Sequence, residues 1–355
     1  MTLIFKYGLP LLLLTVSPAP AQMPPGAPAF DAPAYLDEAI ATVREHALFA
    51  DRVDWPAVSG RIHRLGDKAT TPFDTYPALV ELVRALGDHH SFLQLSTERA
   101  AMYRAAKGHD FVYPPDPDPP RRYDPRFARR PGPAPADTVV DGQRVRSVVV
   151  TANGDNAPEA LQRYALALHR ALVTGPRACG YVIDLRGNGG GNMMPMLAGL
   201  GVLLGNGPVG GFVAKEGGED WIIRRNLLLL RSAQGSEQVT LRLTGWQPMA
   251  DGARRPVALL IDGGTASSGE LTAIAFAGRA NMATFGAHSF GASTATSGFR
   301  LRDGANLVIV DSQVRDRTGR RYPDGLAPDH ATDPTAAPEA ARRWVAARCR
   351  SATGA

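Results

Sequence analysis

Cysteine is nearly absent from this 355-residue chain, which has only Cys179 and Cys349. A densely disulfide-stapled fold is excluded, as is a zinc site of the C-x-x-C kind. There is no H-E-x-x-H motif and the histidines are scattered, so neither a metal nor another cofactor is expected. Charge of one sign is also scarce, with a net value of only +5. Arg121, Arg122, Arg126, Arg129 and Arg130 cluster, but Asp and Pro interrupt them. That pattern suits a solvated loop and does not suggest a nucleic-acid surface. Long apolar runs are missing too. The run from Leu9 to Val16 is too short to span a bilayer. Lys6 precedes it and Ala19-Pro20-Ala21 follows, the pattern of a cleavable export signal with Gln22 opening the mature chain. An exported chain, periplasmic or secreted and without stable membrane insertion, is expected. In an oxidising compartment Cys179 and Cys349 can pair and tie a C-terminal helix to the core; two buried thiols are the alternative.

With 44% hydrophobic and 21% charged residues, the chain can bury a sizeable core, as one large domain or two modest ones. Helical periodicity places Leu36, Ile40 and Val43 on one face, and Leu79, Leu82, Val83 and Leu86 on another. Tyr113 to Ala136 is dense in Pro, Arg and Asp and reads as a linker or surface flap. Strands are expected at Val145–Val150, Gly180–Leu185, Pro256–Ile261, Met282–Phe285 and Ala305–Val310. Helices are expected at Ala157–Val173, after Gly191, at Leu271–Ala277 and at Pro334–Arg348. Alternating strands and helices predict an α/β fold with mainly parallel strands.

Two strand-to-helix turns carry the chemistry. The first is Asp184-Leu185-Arg186-Gly187-Asn188-Gly189-Gly190-Gly191. Its glycines let backbone N–H groups approach an anion, but there is no Walker lysine and no clean G-x-G-x-x-G. The second is Gly263-Gly264-Thr265-Ala266-Ser267-Ser268-Gly269-Glu270. Ser267-x-x-Glu270 is a capping box, yet the same serine at a helix mouth is a candidate nucleophile. This is not the G-x-S-x-G elbow of α/β-hydrolases, because Thr265 stands where the first glycine belongs. A serine needs a base; His90 and His288 are the rivals. A histidine at a helix end is otherwise a cap or a packed ring.

In order along the chain, Leu86-Gly87-Asp88-His89-His90-Ser91, Asp184 to Gly191, Thr265 to Glu270 and Gly325-Leu326-Ala327-Pro328-Asp329 resemble the C-terminal processing (tail-specific) peptidases and the tricorn core protease. The resemblance covers most of residues 35–330. It implies a crotonase-like spiral ββα core with an N-terminal helical subdomain, and Ser267 as nucleophile. In processing peptidases of the serine–lysine kind a lysine is the base, but Ala292 occupies its place and no lysine follows Lys215. The tricorn-like branch uses a histidine from the helical region, and His90 matches it. That branch's orienting glutamate falls at Tyr322, so Asp324 is the expected substitute. The oxyanion would be held by the N–H groups of Gly190 and Ser268. No PDZ domain fits between Ser91 and Val145.

The expected organisation is a signal peptide (1–21), a flexible leader (22–34), a helical subdomain (35–95), a linker or flap (96–137), a catalytic domain (138–333) and a C-terminal helix and tail (334–355). The expected function is serine-type peptidase acting on a peptide or protein. The alternative is a non-catalytic protein that binds small apolar molecules, with Phe212, Trp221 and Leu227 to Leu230 as the apolar candidates.

Overall fold

The computed structural model describes residues 30–115 and 134–353. The expected export signal, most of the leader and the central part of the Pro/Arg-rich segment lie outside the described residues. Helix α1 (Ala32–His46) begins inside the stretch read as leader, because Asp31 caps it: its Oδ1 accepts from Ala34 N–H at 2.9 Å. Asp54 caps α2 (Trp55–Gly66) in the same way, with Pro56 in the tolerated first turn. Together with α3 (Tyr76–Arg84), these helices bury Leu36, Ile40, Val43, Ile62, Leu79 and Leu82 in one cluster.

A fourth helix, α4 (Thr97–Lys107), stands where the linker was expected to begin. Ser96 caps it, and Gly108 ends it at φ +77°. Periodicity could not find it, since Tyr103 and Arg99 are its buried residues and its other side chains are mostly polar. Arg99 is instead anchored by charge, donating from Nη2 to Asp303 Oδ2 at 2.5 Å. The hydroxyls of Tyr35 and Tyr76 each donate to the same carboxylate at 2.8 Å. A buried charge so fully satisfied holds the loop carrying Asp303 against the helices.

The strands are β1 (Phe92–Gln94), β2 (Ala136–Val140), β3 (Gln143–Val149), β4 (Gly180–Asp184), β5 (Gly207–Ala214), β6 (Gly218–Arg224), β7 (Leu227–Ser232), β8 (Glu237–Arg242), β9 (Val257–Ile261), β10 (Met282–Gly286), β11 (Thr294–Arg300), β12 (Asn306–Asp316) and β13 (His330–Ala331). Among the described residues they form two sheets. The six-stranded sheet has the order β13-β10-β9-β4-β3-β2 and is parallel except at the β2–β3 hairpin. Its central strands β4 and β9 are buried along their whole length, as unbroken apolar runs of a parallel sheet should be. The seven-stranded sheet runs β1-β12-β5-β6-β7-β8 with β11 also paired to β12, and every pairing is antiparallel. The expectation of mainly parallel strands therefore holds for one sheet only. The β5–β8 meander went unread because its apolar residues form runs, such as Leu227 to Leu230, and do not alternate.

Helices α5 (Pro158–Val173), α6 (Met194–Leu204) and α7 (Ser268–Phe276) fill the core between the sheets with Leu168, Leu197, Leu200, Ile274 and Phe276. On the other face of the parallel sheet, α8 (Ala337–Thr353) packs Ala341, Val345 and Ala346 against Val182, Ala258 and Leu260. Trp221 and Leu228 belong to the inter-sheet core, with Trp221 at 0% exposure, and Leu230 packs against it. The apolar stretch considered for ligand binding is therefore packing, apart from Phe212.

Cys179 and Cys349 are joined as a disulfide that ties α8 to the start of β4, with a Cα–Cα distance of 5.9 Å. This settles the choice left open by the sequence. The bond closes a loop spanning 170 residues of sequence, which restricts the unfolded chain strongly. Cys349→Ser is expected to lower stability by about 2–4 kcal/mol. Thermal unfolding of the two forms without reductant checks this; equal midpoints would refute it.

Candidate active site

Strands β4 and β9 are neighbours in the parallel sheet, so the turns that follow them lie side by side. Hydrogen bonds stitch these turns together. Asp262 Oδ1 accepts from Gly187 N–H and Gly264 N–H, each at 2.9 Å. Thr265 Oγ1 donates to the Leu185 carbonyl at 2.9 Å. Ala266 N–H donates to the Asn188 carbonyl at 2.9 Å, and Ser268 Oγ to the Gly191 carbonyl at 2.5 Å. Asn188 reaches the other way as well, donating from Nδ2 to the Val150 carbonyl at 3.0 Å. Asp184 and Arg186 form a buried forked pair, with Nε to Oδ1 at 2.9 Å and Nη2 to Oδ2 at 2.6 Å. Arg186 Nη1 also donates to the Pro334 carbonyl. The charged residues of the D-L-R segment thus brace the glycine turn, and neither lines the cleft.

Ser267 sits at the mouth of α7 with φ +49° and ψ −123°, outside the regions that residues with a Cβ favour. The glutamate half of the capping box is formed: Glu270 Oε2 accepts from Ser267 N–H at 3.0 Å. Its other half is formed too, the Ser267 side chain facing the Glu270 N–H, and the residue also lines the cleft. Gly190 lies directly against Ser267. A Cβ at Gly190 would fall 2.8 Å from Ser267 Cβ and 3.1 Å from Ser267 Oγ, and the residue has φ +107°. Only glycine allows that approach.

The Gly190 N–H, expected to point at an oxyanion, donates to Asn188 Oδ1 at 3.0 Å. In this arrangement the Gly190 N–H is engaged within its own turn, and Gly190 gives the serine clearance. Ser268 is the first residue of α7, so its N–H has no acceptor within the helix.

Glu270 has 0% exposure and is the centre of this region. Besides Ser267 N–H, it accepts from Gly291 N–H at 2.8 Å and from Ser289 Oγ at 2.5 Å, both on Oε1. Ser289 Oγ in turn accepts from Leu326 N–H at 2.7 Å. Gly325 has φ +82°, and a Cβ there would fall 2.6 Å from Glu270 Oε1. This crowding accounts for the glycine of the Gly325-Leu326-Ala327-Pro328-Asp329 segment. Burial pushes the Glu270 carboxyl above its ordinary value, against the pull of hydrogen bonds from Ser289, Gly291, Ser267 and Ala292. Sequence reasoning treated Glu270 as a cap alone; that two distant loops meet it is a tertiary fact.

His90 arrives from the helical half of the chain. Asp88 Oδ1 accepts from the N–H groups of His90 (2.9 Å) and Ser91 (2.7 Å), which folds this loop on itself. Ser91 Oγ accepts from Val310 N–H at 2.9 Å, and β1 pairs with β12 through Phe92↔Val308. His90 is thereby fastened to the antiparallel sheet while Ser267 rises from the parallel one. Both line one cleft of about 850 Å³. Met193, Met194, Phe212, Leu271 and Phe290 also line it, and among the described residues no Asp, Glu, Lys or Arg does.

The structure does not bring the other candidates to this place. His288 is not in the cleft wall; its Nδ1 donates to the Ser289 carbonyl at 2.9 Å. Asp324 is exposed, lies outside the cleft wall and is not the partner of the His90 ring. That partner is Thr294, whose Oγ1 lies 2.8 Å from His90 Nδ1. Burial pushes the His90 ring below its usual value of 6.5, with Asp88 pulling the other way.

Residues 148–332 match the sequence profile of peptidase family S41. The chain belongs to family S41. The matched span holds both turns and excludes His90. A nisin-resistance protein of Lactococcus lactis subsp. lactis is 24% identical over 350 residues, covering 97% of this chain and 92% of that protein. A lipoprotein from Streptococcus agalactiae superposes with a TM-score of 0.64 at 20% identity, over 92% of this chain and 99% of its own. The photosystem II D1 C-terminal processing protease gives 0.50 at 16% identity, over 86% and 94%. These structural likenesses concern the fold, a mixed α/β arrangement found in S41 peptidases.

Proposed function

We propose that this S41 peptidase is of the serine type, with Ser267 as nucleophile and His90 as base. The observation that carries the reading is the strained Ser267 backbone, packed against Gly190 in the cleft that His90 also lines. Strain of this kind costs about 1–3 kcal/mol and persists where the surroundings enforce it. Ser267 attacks the acyl carbon, His90 Nε2 takes the proton, and Ser268 N–H, at the positive end of α7, receives the oxyanion. His90 returns the proton to the leaving amine.

The substrate is a peptide or protein segment whose residues near the cut are uncharged, as the cleft wall favours. Nisin is one peptide to try, given the name of the Lactococcus relative. We further propose a crotonase-like core, in which the strand–turn–helix units β4–α6 and β9–α7 stack, with the helical subdomain before it. Export is part of the same proposal, supported by the N-terminal pattern and the Cys179–Cys349 bond. The test is labelling with a fluorophosphonate followed by mapping of the adduct. Ser267 is expected to carry it; an adduct elsewhere that persists in Ser267→Ala would overturn the assignment.

The pH dependence follows from the His90 shift. A depressed value in the folded state means that the unfolded chain binds this proton more readily below 6.5. This contribution to stability is therefore lost as the pH falls from 6.5 through the folded value, while the neutral ring stays available as base below 6.5. The acid limb of kcat/KM is expected to have its midpoint under pH 6.5, read from a rate profile; a midpoint above 7 would contradict it.

A further inference from the structure

Thr294 opens β11, and its side chain is 8% exposed. It is held from both directions. Just before it, Ser293 Oγ donates to the Tyr322 carbonyl and accepts from Gly325 N–H at 3.1 Å. After it, the ladder to β12 begins with Thr294↔Gln313 and shifts register between Ala295 and Thr296. Such a bulge bends the strand and re-aims the side chains beside it. Threonine is branched at Cβ and has few χ1 choices, so its hydroxyl has a defined direction. That hydroxyl meets His90 Nδ1 at 2.8 Å.

The direction of this hydrogen bond decides what the ring can do. If Nδ1–H donates to Thr294 Oγ1, the lone pair is on Nε2 and can accept the Ser267 proton. If Thr294 donates instead, the proton sits on Nε2 and the ring cannot serve as base there. We propose that Thr294 is the positioning residue of the base, accepting from His90 Nδ1–H and so keeping Nε2 unprotonated. This rests on the reading of Ser267 and His90 given above. A hydroxyl orients the ring without lending it a counter-charge. Asp88, the carboxylate whose charge acts on the ring, is engaged by the N–H groups of His90 and Ser91 and by Ser91 Oγ.

Two measurements test this. In the wild-type protein, with histidine labelled in ¹⁵N and the His90 signals assigned by loss in His90→Gln, the proton is expected on Nδ1 above pH 7. A proton on Nε2 would overturn the proposal, and this arm needs no variant at Thr294 to fold. The second measurement is the rate of fluorophosphonate labelling. There the Ser267 Oγ–P bond forms, the P–F bond breaks, fluoride leaves, and the serine proton passes to His90 Nε2. Thr294→Val has nearly the same shape and is expected to label about 10- to 100-fold more slowly, whereas Thr294→Ser stays within about threefold of wild type. A folded Thr294→Val that labels at the wild-type rate would also overturn the proposal. Failure of the wild type to label at Ser267 is a different outcome, since it removes the nucleophile assignment itself.

Discussion

Ser267→Ala is expected to lower peptide hydrolysis by about three to six orders of magnitude, with binding of peptide largely kept. On the proposed mechanism the loss is that large because the nucleophile and its base act as one unit, and no second hydroxyl stands in this position. The hydroxyl of its neighbour Ser268 is engaged by the Gly191 carbonyl at 2.5 Å. The same position allows a second comparison. At φ +49° and ψ −123°, an alanine keeps the strain and loses the chemistry, whereas a glycine loses both. Ser267→Gly is therefore expected to be as inactive as Ser267→Ala but more stable, by about 1 kcal/mol, despite the usual entropic cost of glycine. Thermal unfolding of the two inactive variants reads this difference. A glycine variant less stable than the alanine variant would mean that the serine conformation is not strained.

The second large effect concerns Glu270. Its carboxylate is buried and receives donors from Ser267 N–H, Ser289 Oγ and Gly291 N–H. Removing it strands all three, at roughly 1–3 kcal/mol for each buried donor left without an acceptor. Glu270→Ala is expected to cost about 4 kcal/mol or more and to abolish activity as well, because the serine turn is then released from the 289–292 loop. Glu270→Gln is expected to cost less, since one oxygen still accepts while the amide N–H₂ meets another donor. Denaturant unfolding checks the order, wild type above Gln above Ala. An Ala variant within about 1 kcal/mol of wild type would show that water or a neighbour replaces the carboxylate.

Much of this arrangement was legible before any coordinates. Strand, glycine turn and helix at 180–204 and 257–276 are local patterns, because a buried parallel strand must be apolar throughout and must end before its helix is capped. Those patterns single out Ser267 and Gly190. His90 needed more than periodicity: it stood out as one of a histidine pair after a helix stop, and the resemblance weighed it against His288. What could not be read depends on partners far away in sequence. Thr294 lies 204 positions from His90, and that their side chains meet is set by tertiary packing. Asn188 sits inside the glycine turn, but that it takes the Gly190 N–H is a matter of side-chain rotation. A carboxylate such as Asp324 is the expected orienting group, whereas the His90 ring meets the Thr294 hydroxyl. Helix α4 was missed for a related reason, since its anchor is Arg99 on Asp303 and not an apolar stripe.

The pairing of β1 with β12 has a consequence for how the molecule could be divided. A break anywhere between Lys107 and Ala136 would yield one piece bearing His90 and another bearing Ser267, with the disulfide inside the second. On the proposed mechanism, neither fragment alone contains a complete proton-transfer pair. Reassociation would be steered by the Phe92↔Val308 register, by Ser91 on Val310, and by Leu307 and Ile309 seated among the helices. If Ser267 and His90 act as proposed, the two pieces are expected to complement each other, with recovered turnover reporting the docking of one half on the other.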